Sequence, residues 1–411
     1  MASAMTSSDA VWPREKVVSG PLDVAIPERT CAGSVASGTQ SDDLSRDVYC
    51  ILGMPIDAIE MPAVVRSIEV AAANAAPFVI STPNLNFLVQ SLVDTKFRES
   101  LLLSDLCPTD GIPIVWIAQL LGIPIKRRVA GSDIFEALKL RPRSDPPIKI
   151  FLFGSTEDVA EAAAGSLNKK LTGLTCVGWA CPGFGNFDEL SRAHFIDKIN
   201  ASGADFLVAS LGAKNGQLWL QQNHGRLRIP IRAHLGATIN FQAGTVKRAP
   251  PAMQKFCLEW LWRIKEEPNL WRRYWNDGAV LLRVLLTTVL PLAVEAKWQR
   301  LKHARNPGDL GIKQINTGEF VTLRLYGSAT AQHVDQAVSI FREAVKVKKA
   351  IVIDLSETRA IDARFFGLLL MLRKQLKGQG ARLTFSGASS RLTRMFRRSG
   401  VNFLLSLDRG A

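Results

Sequence analysis

Ile148-Lys149-Ile150-Phe151-Leu152-Phe153-Gly154-Ser155 is a nearly unbroken apolar run that stops at a Gly-Ser pair. A run of this length bounded by turn residues reads as a strand covered on both faces, as inside a parallel sheet. Residues 157–170 follow, with alanine and leucine recurring at helical spacing. The alternation extends outward in both directions. Strand-like runs occupy 175–179, 206–211 and 229–235 downstream and 78–82 upstream, with helix-like segments at 61–75 and 189–201. This repetition predicts an α/β domain, Rossmann-like, with a largely parallel sheet. In such sheets ligands bind beyond the carboxyl ends of the strands. Those ends read Ser81-Thr82-Pro83-Asn84, Gly154-Ser155, Leu211-Gly212-Ala213-Lys214 and Leu235-Gly236-Ala237-Thr238, all small or polar apart from the two leucines and Pro83.

Around this domain, placed at 47–246, the character of the chain changes. Residues 1–46 are rich in Ser, Ala, Gly, Asp and Thr and lack the apolar stretch of a secretory signal. A disordered segment is predicted there. Residues 247–303 form a basic appendage. A small α/β module follows at 310–411, with strands at 320–326, 350–355 and 382–385 and helices at 331–345, 364–377 and 389–399. Its core is expected to be separate from that of the first domain.

The chain carries 51 Lys+Arg against 37 Asp+Glu, a formal net charge of +14 at pH 7. Where the excess sits decides what it serves. Residues 247–303 hold eleven Lys/Arg, five Asp/Glu and five of the nine tryptophans. Residues 280–294 are almost all apolar. Drawn as a helix, they put Arg283, Thr287, Pro291, Glu295 and Gln299 on one narrow polar stripe, and Pro291 is expected to kink or break the helix. Tryptophan and lysine or arginine interleaved beside an amphipathic run suit a helix lying on an anionic membrane surface, with internal or subunit packing of the tryptophans as the alternative. Nucleic acid is not an expected partner, because no nucleic-acid-binding motif accompanies the basic residues. No stretch reaches the roughly 20 uninterrupted apolar residues of a spanning helix. The expected place is therefore the cytoplasm, peripheral to the inner face of the plasma membrane. Six cysteines and five histidines are scattered without ligand spacing, so neither a metal site nor a disulfide is expected. The isolated Gly183-Phe184-Gly185 is too small a fragment of a dinucleotide fingerprint to support a dehydrogenase.

Three islands carry candidate chemistry: Ser81-Thr82-Pro83-Asn84-Leu85-Asn86, Pro108-Thr109-Asp110-Gly111-Ile112-Pro113 and Lys126-Arg127-Arg128-Val129-Ala130-Gly131-Ser132-Asp133. Inverting glycosyl transfer needs a base for the acceptor's proton and positive charge or amide dipoles for the departing diphosphate. Asp110 is the candidate base. Arg128 and the Gly131-Ser132 amides are candidates for the phosphates, and Thr82 and Asn84 for sugar hydroxyls. Each island alone is also what a turn or helix cap looks like.

The set in this order resembles the WecG/TagA/CpsF family, glycosyltransferase family 26, from about residue 48 to 286. Further shared stretches are Ile51-Leu52-Gly53-Met54-Pro55-Ile56-Asp57, Ile199-Asn200-Ala201-Ser202-Gly203 and Ala243-Gly244-Thr245-Val246-Lys247-Arg248-Ala249-Pro250. Glu259-Trp260-Leu261-Trp262-Arg263 and Leu270-Trp271-Arg272-Arg273-Tyr274 complete them. The resemblance implies transfer of a sugar from a nucleotide donor, commonly UDP-linked, to a polyprenyl-diphosphate-linked saccharide, with inversion and no metal or other cofactor. It implies Asp110 as base, Thr82, Asn84 and Arg128 as active-site residues, and Arg272 and Arg273 as diphosphate contacts from an appendage that meets the bilayer. Two departures from the family pattern stand out, Gly216-Gln217 for Gln-Glu and Asn240 for Asp. Gln217 and Asn240 are kept as donor contacts, and the departures mark where the donor sugar would differ. A catalytically weak scaffold that recruits partners is the rival reading.

Residues 310–411 resemble a STAS domain, most clearly in Ala350-Ile351-Val352-Ile353-Asp354-Leu355-Ser356 and Ala360-Ile361-Asp362-Ala363-Arg364-Phe365-Phe366-Gly367. At the position where phosphorylated members carry a hydroxyl, this chain has Ala363, so docking of a protein partner, self-association or small-molecule sensing is expected of the module rather than a phospho-switch.

Overall fold

The computed structural model describes residues 42–405 apart from 143–145, 170–171, 184, 251, 254–257 and 306–308, and no side chains over 299–305. The expected disordered segment lies outside the described residues up to position 41. Inside it, Asp43–Ser45 form a helical turn capped by the Asp42 carboxylate.

The apolar runs form a five-stranded parallel sheet ordered β3-β7-β6-β4-β5. These strands are β3 (Phe78–Ile80), β4 (Ile148–Gly154), β5 (Leu174–Ala180), β6 (Phe206–Ser210) and β7 (Ile231–His234). The chain builds outward from β4 to β5, then returns to the other side of β4 for β6 and β7. Between β4 and β6 the winding reverses, which opens a crevice beyond their carboxyl ends. The expected helix 189–201 is two helices, Phe187–Leu190 and Ala193–Ala201.

Ahead of the sheet lies a hairpin that the periodicity did not show, β1 (Val48–Ile51) and β2 (Met54–Asp57). Leu52 and Gly53 make its turn, both at positive φ, which gives the tight twist of a two-residue hairpin. The strand is apolar throughout because both faces are covered. Val48 and Cys50 face one core, and Tyr49 and Ile51 face another with Phe87, Phe97 and Ile114.

The C-terminal module is a four-stranded sheet ordered β11-β10-β9-β8. It contains β8 (Leu310–Asn316), β9 (Phe320–Ala329), β10 (Ala350–Ile361) and β11 (Leu383–Ser386). Helices Val334–Lys346, Ala363–Gly378 and Ser390–Arg398 flank it. The expectation of separate cores is corrected. Leu44, Val48, Cys50 and Leu102 belong to the same buried cluster as Phe341, Phe365 and Met371. Helix Ala363–Gly378 lies so close to β1 that a Cβ on Gly367 would run into the Val48 carbonyl oxygen.

Between the two modules in sequence runs the appendage, with helices Glu259–Glu266 and Trp271–Val284, a π-helical turn Leu285–Val289, and a helix Leu290–Arg305. Pro291 does not break it. The helix widens into the π-turn just before the proline, which relieves the clash a proline makes with the preceding turn. The stretch Pro268–Trp298 is 31 residues long and, by length and composition alone, apolar enough to cross a membrane. The sequence expectation missed this because it counted only uninterrupted apolar residues, and arginines and Asp277 punctuate the run.

Candidate active site

The islands at 82–84, 110 and 128–131 converge at the carboxyl edge of the sheet beside β3. Thr82 follows β3 and is buried. Its hydroxyl oxygen lies 3.4 Å from where a Cβ on Gly131 would stand, so the glycine lets the third island close against the first. The Asp110 amide donates to the Pro83 carbonyl at 2.9 Å, and the Val129 amide to the Thr109 carbonyl at 2.7 Å. Gly111, at φ +93°, turns the chain from Asp110 into the helix Ile112–Leu120 and packs against Asn84. A side chain at that φ would be strained.

Asp110 is the electrostatic centre of the site. Burial pushes its carboxyl up to about 7, with Asp133 and Glu259 adding to the rise, while Arg128 and the Gly131 amide oppose it. Such a carboxyl exchanges its proton near neutral pH, which is what general-base work requires. The Gly131 amide is near enough to the Asp110 carboxylate to favour its charged form. Ser132, next in the same helix, lines a cleft of about 270 Å³ with Lys139, Thr238, Gln242 and Arg248.

Arg128 is also engaged. Its two terminal nitrogens donate to the two carboxylate oxygens of Glu259, each at 2.5 Å. A fork-to-fork pair of this kind is the geometry in which an arginine would hold a phosphate. Glu259 lies in the appendage and was quoted at the sequence level only as part of a family stretch. Asp133 lies 3.9 Å from Arg128 and also pairs with Arg248.

Asn84 caps the helix Leu85–Val93, its side-chain oxygen accepting the Phe87 amide at 3.1 Å. Asn86 reaches the appendage, donating to the Asp277 carboxylate at 3.3 Å. Arg273 lies one helical turn before Asp277 on the same helix, and its charge lowers the proton affinity that burial raises in Asp277. Arg272 and Arg273 are exposed, each guanidinium standing over its neighbouring ring, Trp271 at 5.6 Å and Tyr274 at 5.1 Å.

The two expected donor contacts part company. Asn240 sits at the crevice, its side-chain oxygen 3.4 Å from the Ser155 hydroxyl just past β4, where Ser155 holds φ +68°. Gln217 is 1% exposed and donates to the Ser81 hydroxyl at 2.6 Å. It backs the first island from inside the protein and is out of reach of a ligand in the crevice. The Gly216 departure has a local cause, for a Cβ there would run into the His234 ring. Burial pushes His234 down to about 4, so its ring is neutral. Among the described residues no three His, Cys, Asp or Glu gather as metal ligands. Cys50, Cys107, Cys176 and Cys181 are free thiols, and Cys31 and Cys257 lie outside the described residues.

Along the appendage Leu282, Leu286, Leu290, Val294 and Trp298 succeed one another at four-residue steps and are all exposed, as are Trp271 and Trp275. The opposite side packs inward through Val289, Leu285 and Leu292. The expected polar stripe lies between, with Glu295 paired to Arg398 of the C-terminal module at 3.3 Å.

Compared with known families, the profile of the Glycosyl transferase WecG/TagA/CpsF family matches residues 49–293, and that of the Mlab, STAS domain matches 313–406. The first match runs through most of the appendage. The chain is similar to the N-acetylglucosaminyldiphosphoundecaprenol N-acetyl-beta-D-mannosaminyltransferase of Bacillus spizizenii, 26% identical over 201 residues, 49% of this chain and 75% of that protein. A protein of the same name from Staphylococcus aureus is 23% identical over 216 residues, 52% of this chain and 82% of that one. A solved structure, the Bacillus cell fate determinant SpoIIAA in the phosphorylated form, aligns at 20% identity and TM-score 0.21, covering 25% of this chain and all of that one.

Proposed function

We propose, from the premise that the chain belongs to the Glycosyl transferase WecG/TagA/CpsF family, that it moves a sugar from a UDP-linked donor to a saccharide carried on a polyprenyl diphosphate. The product serves a bacterial surface or secreted polysaccharide. The observation that carries this reading is the convergence of the half-buried Asp110 with Thr82, Asn84 and Arg128 at the carboxyl edge of the sheet, where desolvation raises the Asp110 carboxyl to about 7. The relatives' names supply the acceptor class, an N-acetylglucosaminyl-diphospho-polyprenol.

In the proposed reaction the Asp110 carboxylate takes the proton of the acceptor hydroxyl as that oxygen attacks the anomeric carbon. The bond from the anomeric carbon to the donor's diphosphate oxygen breaks, its electron pair leaves with UDP, and the configuration inverts. Thr82 and Asn84 orient the hydroxyls, and Asn240 contacts the donor. Arg128, Arg272 and Arg273 offset the diphosphate charge, so neither metal nor other cofactor takes part and EDTA leaves the rate unchanged. The enzyme works at the inner face of the plasma membrane, with the exposed apolar row of the appendage against the lipid.

The test is UDP release by the full chain with UDP-N-acetylmannosamine, then a panel of other UDP-sugars, and N-acetylglucosaminyl-diphospho-lipid as acceptor. Asp110→Asn is expected to lower turnover about 10²–10⁴-fold. Equal turnover by Asp110→Asn would remove the base. No UDP release with any donor would favour the scaffold reading.

A further inference from the structure

One buried charge cluster has no part in that reaction. Lys374, on the STAS-domain helix Ala363–Gly378, reaches across the seam between the modules. Its ammonium donates to Asp105 Oδ1 at 2.6 Å, Asp43 Oδ1 at 2.8 Å and the Ser104 carbonyl at 3.1 Å. Arg46 lies beside it, donating to the same Asp43 oxygen and the same Ser104 carbonyl, each at 3.0 Å. The rest of its fork holds Asp57 at 2.8 and 3.2 Å. Asp57 in turn grips Cys107: its carboxylate accepts the Cys107 amide at 2.6 Å and its amide donates to the Cys107 carbonyl at 2.9 Å.

The groups held, on Ser104, Asp105 and Cys107, are the start and middle of one stretch, Ser104–Asp110. That stretch lies along β3 through the Ile80–Leu106 bridge, with Asp105 Oδ2 accepting the Val79 amide at 2.8 Å. Asp43 and Asp105 share the Lys374 ammonium. Without it buried Asp43 and largely covered Asp105 are left partly uncompensated, and the segment that carries Asp105 bears part of the cost. A displacement there passes along a short chain containing Pro108 to the Asp110 carboxylate, and misplacement of a reacting group by a fraction of an ångström is felt in the rate.

We infer that the STAS domain is a positioning element of the active site, with Lys374 as its positioning residue: by fixing Ser104 and Asp105 it sets where Asp110 stands. The inference rests on Asp110 being the base. The groups that face Asp110 from other elements are Arg128, Asp133 and Glu259, and Lys374 touches none of them. Its effect on the pH profile therefore comes through the backbone of 104–110.

The experiment measures kcat, KM and the pH dependence of kcat in the UDP-release assay, with thermal unfolding alongside. Lys374→Met is expected to lower kcat about tenfold or more and move the acid limb of the profile, with KM for the UDP-sugar within about twofold; Lys374→Arg restores most of the loss. Asp105→Asn, which leaves the module in place, is read in the same way and is expected to show the same split. The comparison variant Arg373→Ala/Lys377→Ala breaks seam ion pairs to Glu99 that do not touch 104–110. It is expected to lower Tm while kcat and the acid limb stay. A Lys374→Met enzyme with wild-type kcat and pH profile overturns the inference, as does an equal kcat loss in the Arg373/Lys377 variant at equal Tm. Retained turnover in Asp110→Asn sinks the base and this inference together. An inactive Asp110→Asn beside an unaltered Lys374→Met sinks the inference alone.

Discussion

The seam between the two modules and the outer side of the appendage helix invert the usual rule in opposite ways. At the seam, charge lies inside: Arg46, Asp57, Asp43 and Lys374 are nearly covered, and every one is paired. On the appendage, apolar groups lie outside, and Trp275 is 75% exposed. Paired charge under a shared core describes two modules that fold as one body, since an uncompensated buried charge would be costly. A continuous exposed apolar row describes a surface that meets something other than water. The contrast puts paired charge beside the 104–110 segment and an unpartnered apolar row on the outer side of the appendage helix.

Removing the STAS domain is the harshest test of that contrast. A chain ending before Leu310 uncovers Leu44, Val48, Cys50 and Leu102 and leaves the Asp43–Asp105 pair without its lysine. It is expected to be insoluble or to lose most of its turnover, assessed by solubility, Tm and UDP release. A soluble, fully active truncation would show that the seam is ornamental.

On the other side, Leu282→Glu/Leu286→Glu alters exposed residues only. Cosedimentation with vesicles containing anionic lipid is expected to fall about tenfold or more, because apolar burial and basic attraction of about 1 kcal/mol per Lys or Arg act together. The Tm should stay within about 2 °C. Unchanged vesicle binding would transfer this row to contact between protein copies.

Arg272→Ala/Arg273→Ala divides adhesion from chemistry with a smaller effect. If the arginines reach the diphosphate, turnover of a water-soluble acceptor falls about tenfold or more without vesicles. If only vesicle binding falls, they belong to the surface alone.

The smallest effect expected concerns Asp110 and stability. In the folded chain its carboxyl keeps its proton to about pH 7, against roughly 4 in an unfolded chain. Between those values only the unfolded state loses the proton, so this residue's contribution to stability falls as pH climbs from about 4 to about 7. Asp110→Asn is expected to raise Tm relative to wild type by a few °C, on the order of what one or two kcal/mol gives, at pH 8 and not at pH 4. Parallel Tm-versus-pH curves for the two proteins would contradict the buried carboxyl.

The parallel sheet was legible because β4 and β6 are nearly unbroken apolar runs ended by glycine or serine and alternate with helical segments. The hairpin was not: in Val48–Ile51 both faces are covered, so the alternation that marks a half-exposed strand is missing. Asp110, Thr82 and Asn84 were readable as a set through family order, and the structure brings their segments together. The roles of Glu259, Asp57 and Lys374 were hidden, because each acts on a residue far along the chain and no local spacing records such a pairing. Gln217 was misread for a related reason. A polar residue in a family stretch looks the same in sequence whether it faces a ligand or braces a loop from behind.

Gly367 interrupts an otherwise strongly helix-forming stretch, where an alanine would hold the helix better by about 1 kcal/mol. Its missing methyl group is what lets the helix backbone rest on the β1 backbone. The two modules are thus fitted to each other at atomic clearance, and a STAS domain taken from another protein with any side chain at this place would not seat. A chimaera that exchanged this domain would have to carry the hairpin and its helix together.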